Sequence, residues 1–236
     1  MWRWAIRIRP GRCRPLCRGA RPVRAHAYLY DKNVAFAAWC GAKIADVLST
    51  QILFLHTTTK LVTITIGSND TGIFDTVFSC LFKSLSLSRC ANAYPPPDFA
   101  RLKARLIALY AAIHTQAPDA RIFIFGYPLV LPPTAPSFCA GLYLPGTRIG
   151  IFPSDVPYFY GLLTKLNDTV HQAAQASPSV TFVSPDLLFA GHDVCASSPY
   201  FFPLDAINAL ETLHPNATGH AELASLLHRA AGPPPD

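Results

Sequence analysis

Two short polar segments contain residue types that can perform chemistry, namely an amide hydrogen-bond donor and a histidine near a carboxylate. The first is GSND at positions 67–70, directly after an apolar run. The side-chain amide of Asn69 can direct an N–H donor toward a developing negative charge. In the second segment, His214 is followed by Pro215 and preceded, three residues earlier, by Glu211. A histidine held in place beside an orienting carboxylate suits a general base.

Each segment also has a purely structural interpretation. Asn and Asp side chains in a turn often bond their own backbone, which would account for the 67–70 segment. A helix beginning near residue 217 could be capped by Asn216 or Thr218, with His214 incidental to it. Taken singly, neither segment separates a catalytic site from a well-formed turn.

The elements that would position both segments alternate between strands and helices. Apolar periodicity predicts strands at 61–66, 121–125 and 180–183. It predicts helices at 42–55, 72–82, 98–115, 158–176 and 217–231, with a proline-rich excursion at 128–157. Strands separated by helices of about 10 to 20 residues favour a parallel sheet with helices on both faces. In such a sheet the chemistry lies beyond the carboxyl ends of the strands, where the 67–70 segment falls.

Composition excludes several classes of protein. The chain has 236 residues, of which 50% are apolar and 14% charged, so it can bury a core and is not a disordered chain. No stretch approaches the roughly 18 to 20 uninterrupted apolar residues of a membrane span. Because there is no internal repeat and no linker, we expect a single α/β domain over residues 25–236.

Positive charge is concentrated in one segment. Eight of the 20 Lys and Arg residues lie within residues 1–24, which contain no acid, whereas the remainder carries 12 basic and 14 acidic residues. A nucleic-acid-binding arm is one interpretation, but no basic or aromatic pattern continues into the rest of the chain, so we expect no nucleic-acid partner. A disordered basic arm, an organellar transit peptide and a shifted reading frame are the other interpretations.

Four segments together resemble one family. The stretches ITIGSND at 64–70 and LHPNATGH at 213–220 resemble blocks III and V of the SGNH (GDSL-type) hydrolases. The stretch AWCGAKIADVL at 38–48 resembles the segment that carries the block II glycine, and FAGHDVC at 189–195 resembles a segment of the secreted actinobacterial lipase and esterase branch. The match covers roughly residues 25–230, in the family's order and spacing. The GxSxG elbow of the larger α/β-hydrolase fold is absent from the sequence.

The resemblance implies a three-layer, flavodoxin-like α/β fold and hydrolysis of carboxylic esters, as in a lipase or esterase. A serine would attack the ester carbonyl, and His214 would take its proton. The side-chain amide of Asn69, the backbone N–H of Gly41 and the N–H of the serine would bind the oxyanion. Glu211 stands at the position of the family's orienting aspartate, a role that a main-chain carbonyl takes in some members.

The resemblance also implies a secreted protein that acts on a small-molecule or lipid ester and needs no metal or organic cofactor; we expect a monomer. The chain has seven cysteines, without a CxxC motif or a zinc-like spacing. By resemblance Cys80 pairs with Cys90, Cys139 pairs with Cys195, and Cys40 pairs with a cysteine upstream. Buried free thiols are the alternative.

The block I nucleophile is the departure from the family pattern. No Gly-Asp-Ser triplet occurs in the chain, and Ser68 stands at a block III position rather than a nucleophile position. If the arginines use CGN codons, the bases that encode residues 1–11 permit Val-Ala-Leu-Gly-Asp-Ser when read from the third base. We therefore expect residues 1–24 to reflect a shifted frame or a misplaced start, and a chain carrying this segment to be unstable and inactive.

A second function fits the same residues. An SGNH-like protein without a nucleophile could keep the pocket, His214 and Asn69, and bind acyl or glycan ligands without turning them over. Ester turnover by a chain with a restored block I distinguishes the hydrolase from this catalytically inactive relative.

Overall fold

Three strands of the main sheet run parallel. The computed structural model describes residues 3–4, 35, 37–38, 41–83, 95–135, 141–144, 147–203 and 212–232. Within them β1 (Arg3–Trp4), β2 (Leu61–Ile64), β3 (Arg121–Phe125) and β6 (Val180–Val183) form a sheet in the order β1-β2-β3-β6. The pairs β2–β3 and β3–β6 are parallel, which confirms the arrangement predicted from the alternation of strands and helices.

β1 pairs with the side of β2 that faces away from β3. This two-residue strand comes from the arginine-rich segment and pairs antiparallel with β2, with Arg3 opposite Ile64 and Trp4 opposite Thr63. The sheet therefore has one antiparallel pair beside its parallel strands.

The proline-rich excursion contains a hairpin that the sequence analysis did not predict. Strands β4 (Gly141–Leu144) and β5 (Thr147–Gly150) pair antiparallel, with Leu142 opposite Ile149. The signal was present in the sequence, because the dipeptide Pro-Gly at 145–146 separates two runs of four residues and Pro-Gly is a strong turn signal.

Helices precede, connect and follow the parallel strands along the chain. Their bounds are α1 Ile44–Ser49, α2 Ser68–Thr71, α3 Ile73–Lys83, α4 Phe99–Gln116, α5 Val156–Gln175, α6 Asp186–Phe189 and α7 Ala217–Ala231. The four longest, α3, α4, α5 and α7, confirm the helices predicted from apolar periodicity. The short helices α2 and α6 were not predicted. In the described part of the chain, none of the helices has both the length and the apolar character that crossing a bilayer requires.

One predicted helix is divided in two. Instead of a continuous helix over 42–55, α1 ends at Ser49 and a 3₁₀ turn follows at Gln51–Phe54. The break lies at Thr50, whose hydroxyl donates to the carbonyl of Asp46 at 2.7 Å. A hydroxyl that bonds a backbone carbonyl of the preceding turn often bends a helix, and Ser-Thr pairs are poor helix formers.

Alternate residues of β3 face two cores. Ile122 and Ile124 belong to a large core with residues of α1, α4 and α5, such as Leu106. Phe123 and Phe125 face the other side of the sheet, where they form a smaller core with Val183 and residues of α7. Side chains alternate across a strand, so helices cover both faces of the sheet. The predicted three-layer α/β architecture is confirmed, and each fully buried Ile or Phe side chain contributes about 1.5–3 kcal/mol of transfer free energy.

A glycine on α7 lets this helix approach the preceding loop. A Cβ built on Gly219 would lie too close to the carbonyl oxygen of Tyr200, and 2.8 Å from the Cβ of Pro215. Neither neighbour is the end of a flexible side chain. The close approach holds the start of α7 against the loop before it.

We predict that Gly219→Ala destabilises the protein even though alanine is the better helix former. Relieving the clash requires a backbone shift, so we expect the free energy of unfolding to fall by about 1–3 kcal/mol in urea denaturation. Gly161→Ala in α5 is the matched control, since a Cβ there meets nothing within 4 Å. The control should gain about 0.5–1 kcal/mol. A gain in both variants would contradict the close approach.

Candidate active site

The strand β2 leads directly into the first polar segment. Gly67 has φ +120°, a conformation that side chains rarely adopt, and it makes the sharp turn from the strand into α2. Asn69 then lies on α2, and its Nδ2 donates to the carbonyl oxygen of Ala42 at 3.2 Å. Ala42 adjoins Gly41, which is exposed and has φ +82°. The structure therefore brings the two predicted oxyanion donors, Asn69 and Gly41, onto adjacent loops.

A buried tyrosine supports the loop that carries Asn69. The backbone N–H of Ser68 donates to the hydroxyl of Tyr127 at 3.1 Å. Tyr127 follows β3, and its own N–H and C=O are both bonded, at 2.8 Å, to the side-chain amide of Asn167 in α5. Burial raises the pKa of Tyr127 to about 12, although the hydrogen bonds from Ser68 lower it. Tyr127 is therefore neutral at physiological pH and serves as an uncharged support.

Ser68 has the environment of a structural residue. It is 2% exposed, and both its N–H and its hydroxyl are hydrogen-bonded with Tyr127. A nucleophile must reach a substrate carbonyl and a general base. The burial of Ser68 agrees with its block III position and speaks against a nucleophilic role.

His214 lies in a constrained turn before α7. Leu213 has φ +60°, and two backbone bonds join this turn to Phe202: Phe202 N–H donates to the His214 carbonyl at 2.8 Å, and Leu213 N–H donates to the Phe202 carbonyl at 3.2 Å. The ring Nδ1 of His214 is 3.0 Å from the carbonyl oxygen of Thr212. Glu211, the predicted orienting acid, lies outside the described residues, so its role stays a prediction.

Asn216 anchors the other end of this turn. Its side-chain oxygen accepts from Gly219 N–H at 3.0 Å, and its Nδ2 donates to the carbonyl of Pro199 at 2.8 Å. The capping interpretation of the sequence is thus correct for Asn216. The cap does not exclude a functional role for His214, because the Asn216 side chain also holds the turn in which His214 lies.

The histidine turn is connected to the segment that follows β3. Residues 199–202, which hold the turn, continue from a loop in which Val194 N–H donates to the carbonyl of Val130 at 3.0 Å. Val130 comes five residues after the end of β3, at the carboxyl edge. Asn69 follows the carboxyl end of β2, which is parallel to β3. The Asn69 loop therefore leaves the sheet at the edge where α/β proteins bind ligands, and the histidine turn is linked by hydrogen bonds to the segment that follows β3 at that edge.

Sequence reasoning missed the groups that support the site. The sequence pattern indicates no role for Tyr127 and only a turn position for Asp70. Asp70 in fact has a fully buried carboxylate, with a side chain 1% exposed and an ion pair to Arg105. No local pattern predicts that Asn167 or Arg105 faces these loops, since both come from distant helices. Among the described residues no group of His, Cys, Asp or Glu has an arrangement suited to a metal ion.

Comparison with known proteins places the chain in a family. Residues 13–222 match the GDSL-like lipase/acylhydrolase family. Lipase 1 of Streptomyces coelicolor is 34% identical over 209 residues, which are 85% of this chain and 73% of the relative. A lipase of Streptomyces rimosus is 29% identical over 199 residues, 79% of this chain and 66% of the relative. The chain is thus shorter than either relative.

Two solved structures share the fold. An extracellular lipase from Streptomyces rimosus superposes with a TM-score of 0.68 at 25% identity, covering 83% of this chain and 80% of that chain. Phospholipase A1 from Streptomyces albidoflavus NA297 has a TM-score of 0.65 at 20% identity, covering 83% and 79%.

The fold and its two polar loops define an SGNH-type α/β hydrolase. The chain belongs to the GDSL-like lipase/acylhydrolase family, and its class of activity is ester hydrolysis. The family and fold predicted from the four sequence segments are confirmed by these matches.

We predict that Tyr127→Phe destabilises the protein by about 1–3 kcal/mol, because the buried N–H of Ser68 loses its acceptor. The matched control is Tyr110→Phe. The Tyr110 hydroxyl is equally buried and has no hydrogen-bond partner in the described part of the chain. Its removal should change the free energy of unfolding by less than about 0.5 kcal/mol or raise it. Equal losses in urea denaturation would argue against the Tyr127 support.

The burial of His220 leads us to predict that the protein loses stability in acid. Burial, with a smaller contribution from neighbouring His214, lowers the pKa of His220 to about 3. Between pH 6.5 and 3 the unfolded chain binds a proton that the folded chain does not, so stability falls as the pH decreases through this range. This histidine alone should reduce the free energy of unfolding by about 2 kcal/mol between pH 7 and 5.

The measurement is urea denaturation at pH 7 and 5 for the parent and His220→Gln. The variant should lose part of the pH dependence, whatever its stability at pH 7. His228→Gln is the control, because His228 is exposed on the same helix. An unchanged pH dependence in His220→Gln would contradict the assignment.

Proposed function

We propose that this protein hydrolyses carboxylic esters of small molecules or lipids through a serine acyl-enzyme, with His214 as the general base. The observation that supports this role is the 3.0 Å contact between His214 Nδ1 and the carbonyl oxygen of Thr212. A carbonyl oxygen only accepts hydrogen bonds, so Nδ1 carries the proton and the basic lone pair is on Nε2. A ring held in this tautomer can take a proton from a serine hydroxyl.

In the proposed reaction the serine Oγ bonds to the ester carbonyl carbon while its proton passes to His214 Nε2. The carbonyl oxygen becomes an oxyanion, which accepts hydrogen bonds from the Asn69 amide and the Gly41 N–H. His214 then gives the proton to the leaving alcohol, and water repeats the sequence on the acyl-enzyme. The bond from Asn69 Nδ2 to Ala42 supports this assignment, because it orients the amide beside Gly41.

We propose that the carbonyl of Thr212 is sufficient to orient His214, so that Glu211 is dispensable. A neutral carbonyl and a carboxylate both fix the ring through Nδ1–H, although the carboxylate stabilises the imidazolium more. The proposed triad is therefore reduced to a Ser-His dyad with a main-chain partner.

We propose that the nucleophilic serine is encoded in an alternative reading frame of the bases that encode residues 1–11. No Gly-Asp-Ser occurs in the chain itself. The test is the nucleotide sequence across the first 30 codons and about 150 bases upstream, read on independent clones. An in-frame Gly-Asp-Ser run after a strand-like segment supports the hydrolase. A confirmed arginine-rich frame supports instead an inactive relative that binds acyl or glycan ligands.

We predict opposite outcomes for the two residues of the histidine turn in a chain that carries the restored nucleophile. His214→Ala should lower kcat for p-nitrophenyl butyrate by at least about a thousandfold, because the base is lost. Glu211→Gln should keep kcat within about tenfold, because Thr212 still orients the ring. His228→Ala, on the exposed side of α7, is the control and should match the parent. Full activity in His214→Ala would refute the proposed base.

We also propose that the protein is a secreted monomer with disulfides Cys80–Cys90 and Cys139–Cys195. Cys80 and Cys195 are both disulfide-bonded, and their proposed partners Cys90 and Cys139 lie outside the described residues. Disulfides persist in oxidising compartments, which is consistent with export. The similar lipase of Streptomyces rimosus is described as extracellular.

A further inference from the structure

The two loops that carry Gly41 and Asn69 are tied together by one carboxylate. Asp70, the residue after Asn69, accepts a hydrogen bond from the backbone N–H of Ile44, with distances of 3.0 Å to Oδ2 and 3.3 Å to Oδ1. Ile44 begins α1, three residues after Gly41. The loops are 26 residues apart in the sequence, so no local geometry sets their separation.

A third element completes the arrangement. Nη2 of Arg105, on α4, lies 2.8 Å from Oδ1 of Asp70. The Asp70 side chain is 1% exposed and that of Arg105 38% exposed, so the carboxylate is buried while part of the guanidinium faces solvent. Asp70 thus joins α1, α2 and α4, and α4 also packs against Gly67 through Leu102.

The arrangement is sensitive to the charge of Asp70. Burial raises the pKa of Asp70, whereas the Ile44 N–H and the Arg105 guanidinium lower it. A buried carboxylate is tolerated only where such donors surround it. A displacement of α2 relative to α1 would break these bonds and also the 3.2 Å bond from Asn69 to Ala42.

We propose that Asp70 is a positioning residue that sets the distance between the Gly41 N–H and the Asn69 amide. This inference rests on the proposed function of those two donors. Asp70 acts through them and does not touch the substrate. Arg105 holds the carboxylate ionised and in place, so that its oxygens keep accepting from Ile44.

Two carboxylates that each accept from a backbone N–H at the start of α1 provide a matched pair for the test. Asp70→Asn keeps the side-chain shape but removes the charge that pairs with Arg105. Asp46→Asn removes the charge of a carboxylate with a similar bond, since Asp46 Oδ2 accepts from the backbone N–H of Lys43 at 2.8 Å. Asp46 is on α1 and its bond does not reach α2. Arg105→Met is a second variant, which removes the guanidinium but leaves the Asp70 carboxylate its bond from Ile44.

The first measurement is the ¹H–¹⁵N correlation spectrum of the full chain, which requires no turnover. In Asp70→Asn and Arg105→Met we expect the Ile44 amide, the Gly41 amide and the Asn69 side-chain NH₂ to shift together. In Asp46→Asn we expect shifts confined to Lys43 and the residues next to it, with the Gly41 amide and the Asn69 side-chain NH₂ unmoved. Unmoved Gly41 and Asn69 resonances in Asp70→Asn would overturn the proposal.

The second measurement compares the effects of each substitution on kcat and on KM, in a chain that carries the restored nucleophile. Asp70→Asn should lower kcat by about tenfold or more with KM within about twofold, because misplaced donors weaken binding of the oxyanion rather than of the ester. Arg105→Lys should retain more of kcat than Arg105→Met. A parent without turnover would count against the proposed function only, whereas unchanged kcat in Asp70→Asn would count against the positioning role.

Discussion

The parallel pairing of β2, β3 and β6 is the constraint on which the rest of the structure depends. Parallel strands bring their carboxyl ends to one edge, so the segment that follows each strand must leave the sheet at that edge. The Asn69 loop after β2 and Tyr127 after β3 are neighbours for this reason. The histidine turn is linked to the segment after β3 through the loop that is bonded to Val130. The functional loops of the hydrolase are thus assembled by the direction of its strands.

Burial then determines how these loops are held. A polar group removed from water must find a partner inside the protein or it destabilises the fold. Tyr127 bonds the loop on one side through Ser68, and Asn167 satisfies both backbone groups of Tyr127. Asp70 bonds the loop on the other side through Ile44 and Arg105. The short helix α2 is therefore fixed between two buried polar groups.

His214 and His220, in the LHPNATGH segment, differ in their surroundings and therefore in the roles they suit. His214 is in a turn where its Nδ1 lies 3.0 Å from the carbonyl oxygen of Thr212, the contact on which its proposed role as a base rests. His220, six residues later, is 1% exposed, and its lowered pKa keeps it neutral. The first environment suits proton transfer, and the second suits a packed ring behind the turn. Asn216 and Gly219, between them, fix the helix start on which both depend.

The sequence by itself determined the family, the order of the long helices and parallel strands, and the segments around Asn69 and His214. These features depend on apolar periodicity, glycine positions and short motifs, all of which act locally along the chain. Only the tertiary structure decided that Thr212 bonds His214, and that Asp70 joins Ile44 to Arg105. These contacts depend on backbone conformation in a strained turn or on residues far apart in sequence. Their distances follow from how the helices pack on the sheet, which no local pattern encodes.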